Sequence, residues 1–486
     1  MALSQGLLPF KIELTSQAET VTAHAGLFLV VEAAIALIPP RAMRPLRKAL
    51  GYKTVTPVRR HLLSLIALAC AGGDHVRDLE TLRADQGCSR LLGFEPSSPT
   101  QAKDFLYRFH QAEDGTPLTD QDDEQLSIRG KAQIRPEGPG LRALAVLLDL
   151  SVEAVRQLRQ PTKATIDLDA RIAEAHKKRA LVAYDGTRGY QPQMAWWAEL
   201  GVWLTDQFRD GNVPAEFEAR AFLRQTFARL PVAITERFLR ADSAFYNEDA
   251  LSWADEHDIH FAVSADMSEA LKSKVTRLPE EAWQPYRSFN ERAALTEERQ
   301  WAEVPDFVPD WKRNRSKEGT AFRYLAIRVR GRQKDLFEGD DPSAWRTFAV
   351  VTNMGWNGER LLRWQREKQG TVEHGHGVVK NDLAGGVMPC GRFGSNAAWS
   401  RIQLLTHNLL VLLKTLALPS ALRDARPKTL RFRLFNLPGR IVRHARGWVL
   451  KLYEGLPFAA DIVAARRPLL ELARQQRAPG RVAAPP

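Results

Sequence analysis

Three acidic residues that lie far apart in the sequence, Asp169, Asp242 and Glu373, are of the type that holds metal ions for phosphodiester chemistry. Two divalent cations about 3.5–4 Å apart can activate a water or a 3′-hydroxyl and stabilise the leaving oxygen. Magnesium prefers oxygen ligands and keeps several waters, so three carboxylates suffice to bind it. The three acids are therefore candidate catalytic residues and metal ligands, provided that the fold brings them together.

The second of these acids lies where a strand is predicted to stop. The segment FLRADSAFYNEDAL (238–251) runs from apolar residues into Asp242 and then into an acidic helix start. An aspartate at such a place commonly accepts backbone hydrogen bonds in a turn or an N-cap. Alternatively, its carboxylate lies at the carboxyl edge of a strand in an α/β domain, where catalytic groups gather. The residue alone does not decide between the two.

The first acid has a rival in its own strand. The segment KATIDLDARI (163–172) is rich in β-branched residues and alternates between apolar and polar positions, which predicts a strand. Asp167 and Asp169 project from the same face of that strand, because successive side chains alternate between faces. Either residue could supply the first carboxylate.

The elements around these acids predict a mixed α/β fold. Apolar residues at helical spacing predict helices in the first hundred residues, and a polar stretch with a long strand candidate predicts a β-rich insertion before the glutamate. The expected organisation is a helical, DNA-binding N-terminal domain (1–111), a linker or loop (112–140), the first part of the catalytic core (141–270), the β-rich insertion (271–344), the second part of the core with the glutamate helix (345–415) and a basic C-terminal region (416–486).

The charge of the chain indicates a polyanionic partner. The net charge is +12 at pH 7, and from Lys414 onward fifteen Lys and Arg residues face only four acidic ones. Arginines interleaved with aromatic residues suit DNA phosphates, although a solvated basic surface is the simpler alternative. The candidate DNA-binding side chains of this region are Arg431, Arg433, Arg440, Arg443 and Arg446.

Other features of the composition exclude several classes of protein. The three cysteines include no close pair, so they form neither a disulfide framework nor a zinc pattern and favour a reducing compartment. The longest apolar run (25–40) contains Glu32 and is too short to span a membrane, and the N-terminus lacks the pattern of a signal peptide. We therefore expect a cytoplasmic, nucleoid-associated protein without a membrane segment.

Four motifs in fixed order, TIDLDA, GTRGYQP, LRADSAFY and TVEHGHGVVKND, are followed by GSNAAWSRIQLLTHNLLVLL. Together they resemble the bacterial DDE-type insertion-sequence transposases, most closely the thirteen-eighty group, which has a β insertion before the glutamate. The resemblance covers most of the chain. It implies an RNase H-like catalytic core that binds Mg²⁺, for which Mn²⁺ can substitute, and that cleaves insertion-sequence ends and transfers them to target DNA.

The resemblance also implies roles for individual residues and partners. By motif, Asp169, Asp242 and Glu373 correspond to the three acids of the family, and Lys380 corresponds to a lysine that follows the glutamate. Seven residues make two helical turns, so Lys380 shares the face of the glutamate and could contact a phosphate. The implied partners are double-stranded DNA, as terminal inverted repeats and target, and a second copy of the chain in a homodimer.

Several positions depart from the family pattern. Arg366 and Gln369 replace a tyrosine and an arginine before the glutamate, and Arg171 replaces a Thr or Ser after the first acid. Gly375 and Gly377 should each weaken the glutamate helix by about 1 kcal/mol relative to alanine. Two alternatives therefore stay open: a transposase-derived protein that binds DNA without cutting it, and a nuclease that cleaves without strand transfer.

Two histidines beside the glutamate, His374 and His376, do not form a known ligand pattern. Their alternating spacing lies in a glycine-broken segment. We expect no metal ligand at these two positions from the sequence.

Overall fold

The computed structural model describes residues 21–123, 131–177, 179–286, 297–309, 322–331, 345–444 and 447–477. The chain divides into two compact units. The first comprises Met1–Tyr107, Asp382–Ala384 and Leu412–Pro486, and the second comprises Arg108–Asn381 and Gly385–Val411. Arg446, one of the candidate DNA-binding residues, lies outside the described residues.

The helices of the described residues are, in chain order, α1 (Phe28–Leu37), α2 (Arg44–Ala49), α3 (Val55–Ala71), α4 (Leu79–Ala84), α5 (Gln86–Leu92), α6 (Pro99–Tyr107), α7 (Pro139–Arg159), α8 (Ala219–Phe227), α9 (Glu248–Glu256), α10 (Glu269–Thr276), α11 (Gly358–Arg366), α12 (Val372–Asp382), α13 (Phe393–Leu416), α14 (Pro427–Leu430) and α15 (Ala459–Arg477).

The strands of the same residues are β1 (Val21–Thr22), β2 (Lys163–Ala170), β3 (Ala173–Glu174), β4 (Leu181–Val182), β5 (Arg188–Tyr190), β6 (Gln193–Trp197), β7 (Val202–Gln207), β8 (Glu236–Ala241), β9 (Ile259–Ala265), β10 (Gln284–Pro285), β11 (Glu297–Glu303), β12 (Arg323–Gly331), β13 (Arg346–Thr352), β14 (Gly439–His444) and β15 (Gly447–Lys451).

The first unit combines the N-terminal helices α1–α6 with a small antiparallel sheet of order β1-β14-β15. Its central helix, α3, buries an almost continuous apolar stretch from Leu62 to Cys70. The helix ends at Gly72, whose φ of 103° lies in the left-handed region that glycine adopts without a side-chain clash. None of the helices in the described part of the chain is long and apolar enough to cross a membrane.

The second unit is built around a nine-stranded mixed sheet of order β10-β11-β12-β13-β9-β8-β2-β6-β7. Strands β2, β8 and β9 run parallel to one another, whereas β6 and β13 pair antiparallel at the two sides of this group. A second, three-stranded sheet has the order β3-β5-β4. The predicted mixed α/β fold is therefore confirmed.

The strands of the expected insertion continue this sheet instead of forming a separate one. Strand β12 pairs with β13 over seven residue positions, and β13 pairs with the core strand β9. Phe238 of β8 shares one buried cluster with Trp301 of β11 and Ile327 of β12. The β-rich segment and the core are thus joined through one hydrophobic core.

The segment expected to be a linker, 112–140, lies within the second unit. Its Arg135 is buried and pairs with two carboxylates, Asp123 at 2.5 Å and Asp210 at 2.7 Å. A buried arginine with two acidic partners fixes the segment against the core, because breaking such a pair leaves an uncompensated charge.

Candidate functional site

The first two candidate acids lie at the same edge of the large sheet. Strands β2 and β8 are parallel, and Asp167 of β2 is opposite Arg240 of β8, an offset of 73 residues. Continued by two residues, this register places Asp169 beside Asp242, which directly follows the last residue of β8. The carboxyl ends of parallel strands meet at one edge, so the register alone brings the two carboxylates together.

Asp242 combines the two roles that the sequence left open. It is the N-cap of the short 3-10 helix Ser243–Phe245, and its Oδ1 accepts a hydrogen bond of 3.2 Å from the backbone N–H of Ala244. The side chain is only partly buried, so the carboxylate still faces the edge of the sheet. The local cap fixes the carboxylate without removing it from the site.

The third acid, Glu373, lies in the first turn of α12 and is exposed. Burial raises the pKa of Asp169 to about 6, and although Lys368 opposes this shift, the negative charges of Asp242 and Glu373 add to it. Carboxylates influence one another in this way only when they are close in space. The charges of Asp242 and Glu373 therefore act on Asp169, and the grouping of the three acids in one metal site stays a prediction.

The carboxylate of Asp167, the alternative first acid, forms hydrogen bonds with other side chains. It is 0% exposed and accepts two hydrogen bonds from the Arg240 guanidinium, at 2.6 and 3.0 Å. The hydroxyl of Thr371 donates a further hydrogen bond to the same carboxylate. A buried carboxylate that already accepts three hydrogen bonds, two of them from a guanidinium, is less able to bind a cation, so the geometry favours Asp169 over Asp167 as the first acid.

Two further residues lie beside Asp169, namely Lys368, which no sequence pattern singled out, and His376, at which no metal ligand was expected. Lys368, in the 3-10 helix Glu367–Gly370, is 7% exposed and places its Nζ 3.5 Å from Asp169 Oδ1. His376 of α12 is also 7% exposed and places its Nε2 3.5 Å from Asp169 Oδ2. Burial, helped by the positive charges of Arg171 and Lys368, lowers the pKa of His376 to about 3, so the ring is neutral. The sequence feature that could have indicated His376 is its position three residues after Glu373 on the same helix.

Helix α12 lies close against the sheet because of a glycine. A Cβ on Gly375 would lie 2.8 Å from the ring of Trp196 and 2.9 Å from that of Trp203, whereas a Cβ on Gly377 would meet nothing within 4 Å. Both tryptophans are buried and cannot easily move aside. The expected weakening of the helix is thus offset at Gly375 by close packing on the sheet, but not at Gly377.

Arg171, a departure from the family pattern, fastens the end of the same helix. Its Nη2 donates a 2.6 Å hydrogen bond to the carbonyl of Gly385, just after α12, and its Nη1 lies 3.5 Å from the carbonyl of His376. Burial lowers the pKa of Arg171 to about 10, so the guanidinium remains charged at neutral pH. Arg171 therefore helps to hold the glutamate helix at the sheet edge.

The chemistry of the donor set fits a divalent cation that binds oxygen. Asp169 and Asp242 share one edge of the sheet, and burial together with the charges of Asp242 and Glu373 raises the pKa of Asp169. In the described ranges, however, no group of three or more His, Cys, Asp or Glu side chains is already arranged to hold a metal. The Nζ atom of Lys368 lies 3.5 Å from Asp169 Oδ1, so a cation that binds this carboxylate would compete with the ammonium group.

The candidate DNA-binding residues divide into two groups. Lys380 is exposed on α12, and Arg433, Arg440 and Arg443 are exposed in the first unit. Arg431 instead donates hydrogen bonds to the carbonyls of Cys70 at 3.0 Å, Ala69 at 3.1 Å and Asp382 at 2.6 Å. Two of these bonds satisfy carbonyls at the C-terminus of α3 and the third satisfies that of the last residue of α12, so Arg431 caps both helix ends, and its contact with DNA stays a prediction.

The chain matches a known protein family and is similar in structure to a solved protein. The family profile described as "Transposase DDE domain group 1" matches residues 7–474. No curated protein matches the chain. Among solved structures, the chain is similar to a piggyBac transposase synaptic complex with hairpin DNA determined by cryo-electron microscopy, with 8% sequence identity and a TM-score of 0.43 over 93% of this chain and 82% of that one.

Proposed function

The chain belongs to the transposase DDE domain group 1 family, and from this premise we propose that it cleaves the ends of a mobile element and transfers them to target DNA. The observation that carries the proposal is the parallel register of β2 and β8, which places Asp169 beside Asp242 at one edge of the sheet. Converging carboxylates of this kind suit phosphodiester chemistry with divalent cations.

In the proposed mechanism, Asp169, Asp242 and Glu373 hold Mg²⁺, with Mn²⁺ able to substitute. When bound, the cations would activate a water or a 3′-hydroxyl for in-line attack and stabilise the leaving oxygen. Asp242 keeps its orientation through its cap hydrogen bond, and Gly375 keeps the helix of Glu373 against the sheet. Lys380, two turns after Glu373 and exposed, would contact a DNA phosphate near the site.

The DNA partner is proposed to bind in part through the basic first unit. Strands β14 and β15 run from Gly439 to Lys451, a segment that contains four Lys or Arg residues and no acidic residue. Arg440 and Arg443 are exposed there and form no ion pair within the described part of the chain. Such side chains attract DNA phosphates in a salt-dependent and sequence-independent way.

The finer parts of the proposal rest on sequence motifs. The family match supports a DDE transposase and does not extend to a bacterial group within that class. The resemblance to the thirteen-eighty group, the RNase H-like description of the core, the homodimer that pairs two element ends and the association with the nucleoid are proposed from the motifs and from the basic charge.

The test is cleavage of DNA that contains the sequences flanking the gene, with Mg²⁺ or Mn²⁺. We expect strand cleavage by the wild type and none by Asp242→Asn, although both bind the DNA. Asp249→Asn is the matched control, because Asp249 is an exposed acid seven residues further on, in α9. Cleavage by Asp242→Asn at the wild-type rate would refute the assignment of this residue.

A second candidate function is a transposase-derived protein that binds DNA without cutting it. The observation in its favour is the contact of Lys368 with Asp169, because an ammonium group already neutralises a carboxylate that the cation would need. DNA binding without cleavage under both Mg²⁺ and Mn²⁺ would establish this candidate in place of the first.

A further inference from the structure

We propose that His376 supplies a nitrogen ligand to the cation held by Asp169 and Glu373, so that the site prefers Mn²⁺ or Co²⁺ to Mg²⁺. This inference rests on the proposed function, because it presupposes a cation at the carboxylates. It adds a neutral imidazole to the three acids of the site. The imidazole gives the site a preference among metal ions.

The first observation is the unsatisfied state of the His376 ring. The side chain is 7% exposed, and within the described part of the chain neither Nδ1 nor Nε2 has a hydrogen-bond partner. A buried polar atom without a partner costs about 1–3 kcal/mol, and such atoms in native proteins usually have a function or a missing ion. A cation at Nε2 would satisfy that nitrogen, for which the described residues supply no hydrogen-bond partner.

The second observation is the direction in which the ring faces. Its Nε2 lies 3.5 Å from Asp169 Oδ2, a separation that is long for a hydrogen bond. Two ligands that each lie about 2.1 Å from one cation are separated by about 3.0–3.5 Å, so the same two atoms can bind one ion with little movement.

The third observation is the spacing of His376 from Glu373. The two residues are three positions apart on α12, so they project from neighbouring positions of the helix surface. Helical Glu-x-x-His pairs contribute both side chains to metal centres in carboxylate-rich bundle proteins. Here the histidine of the pair lies 3.5 Å from a second carboxylate, that of Asp169.

The chemistry of an imidazole ring agrees with this role. Neutral imidazole is the form that binds metals, and it suits Mn²⁺ less than Co²⁺ or Zn²⁺ but all three better than Mg²⁺.

The experiment is pulsed electron paramagnetic resonance of Mn²⁺ bound to the full-length protein without DNA. We expect modulation from a directly bound ¹⁴N nucleus, and its replacement by ¹⁵N couplings when the protein is produced with ¹⁵N-labelled histidine. His376→Gln should lose the nitrogen signal and bind Mn²⁺ at least about tenfold more weakly, with a smaller change for Mg²⁺. His374→Gln, an exposed neighbour on α12, is the matched control and should keep the signal.

The outcomes separate this inference from the proposed function. Tight Mn²⁺ binding without a histidine nitrogen signal would overturn the ligand role of His376 and leave the carboxylate site intact. Absence of Mn²⁺ binding, in a wild-type protein shown by circular dichroism to be folded, would overturn both proposals. Should His376→Gln fail to fold, the isotope exchange in the wild type still decides the question.

Discussion

Asp167 of β2 and Arg240 of β8 face each other in parallel register and form a completely buried ion pair with two hydrogen bonds. The same guanidinium also donates a 2.7 Å hydrogen bond to the carbonyl of Trp364 in α11. The pair therefore joins two core strands to the segment that precedes the glutamate helix. It lies two residues before the catalytic candidates Asp169 and Asp242 on their respective strands.

Removal of one member of this pair should destabilise the second unit. We expect Arg240→Met to lower the free energy of unfolding by about 3–5 kcal/mol, because Asp167 is left as a buried, unpaired charge. Chemical denaturation followed by tryptophan fluorescence measures the change. Arg237→Met on the same strand is the control, and an equal loss in both variants would contradict the special position of Arg240.

Substitution of Lys368 should strengthen cation binding. In Lys368→Met the ammonium 3.5 Å from Asp169 is lost, so a divalent cation no longer competes with it. We expect Mn²⁺ to bind at least about tenfold more tightly, since a unit charge at this distance is worth well over 1 kcal/mol near a protein surface. Isothermal titration calorimetry gives the affinity.

The matched control for that variant is Lys272→Met, which removes an exposed lysine on α10. It should bind Mn²⁺ as the wild type does. Weaker binding in Lys368→Met than in this control would show that the lysine supports the cation instead of competing with it.

Two glycines of α12 should respond in opposite directions to alanine. Gly375→Ala places a Cβ within 3 Å of two buried indole rings, and we expect a loss of about 1–3 kcal/mol from overpacking. Gly377→Ala meets open space and should gain up to about 1 kcal/mol through helix propensity. Thermal unfolding compares the two, and equal effects would contradict the close packing at Gly375.

The arginines of the first unit should separate into DNA contacts and structural residues. Arg440→Ala and Arg443→Ala should each weaken DNA binding and reduce the slope of log K against log salt by about 1. Arg431→Met should leave that slope unchanged and lower stability instead, because three backbone carbonyls lose their donor. Fluorescence anisotropy at several salt concentrations measures the slope.

The first unit also contains an acid that makes stability depend on pH. Burial acts to raise the pKa of Asp85, but hydrogen bonds from His24, Cys88, Thr22 and Ala23 outweigh it and hold the pKa below its ordinary 3.8. Because the folded-state pKa is depressed, its stabilising contribution is present above pH 3.8 and is lost as pH falls through the lower, folded-state value.

Asp85→Ala should therefore cost about 1–2 kcal/mol at pH 7, the usual value of an N-cap, and progressively less as the pH falls below 4. Denaturation at a series of pH values measures the difference. Asp74→Ala, an exposed acid of the same unit, should show no such trend. A constant difference between the Asp85 variant and the wild type down to pH 2 would contradict the argument.

Local sequence patterns predicted the strands that carry the candidate acids. Alternation in TIDLDA predicted the strand that carries Asp169, and the apolar run before Asp242 predicted where β8 ends. The choice between Asp167 and Asp169 could not be predicted, because it depends on Arg240, which is brought to Asp167 only by strand pairing.

The contacts of Lys368 and His376 with Asp169 are long-range tertiary contacts, which local sequence patterns do not predict. Lys368 and His376 precede and follow Glu373 within a few residues, but their proximity to Asp169 depends on α12 lying against the sheet. That packing in turn requires Gly375 to lack a side chain beside Trp196 and Trp203. From the sequence alone, the same glycine indicated only a weak helix.

Strand β9 lies between β8 and β13 in the sheet, and this position matters for truncated forms of the chain. A polypeptide ending before residue 345 would keep Asp169 and Asp242 but would leave one side of β9 without its neighbour. An apolar strand with an open row of N–H and C=O groups recruits strands from other molecules. Prematurely terminated products should therefore accumulate as insoluble protein, so that β13 also determines which truncated products persist as folded protein.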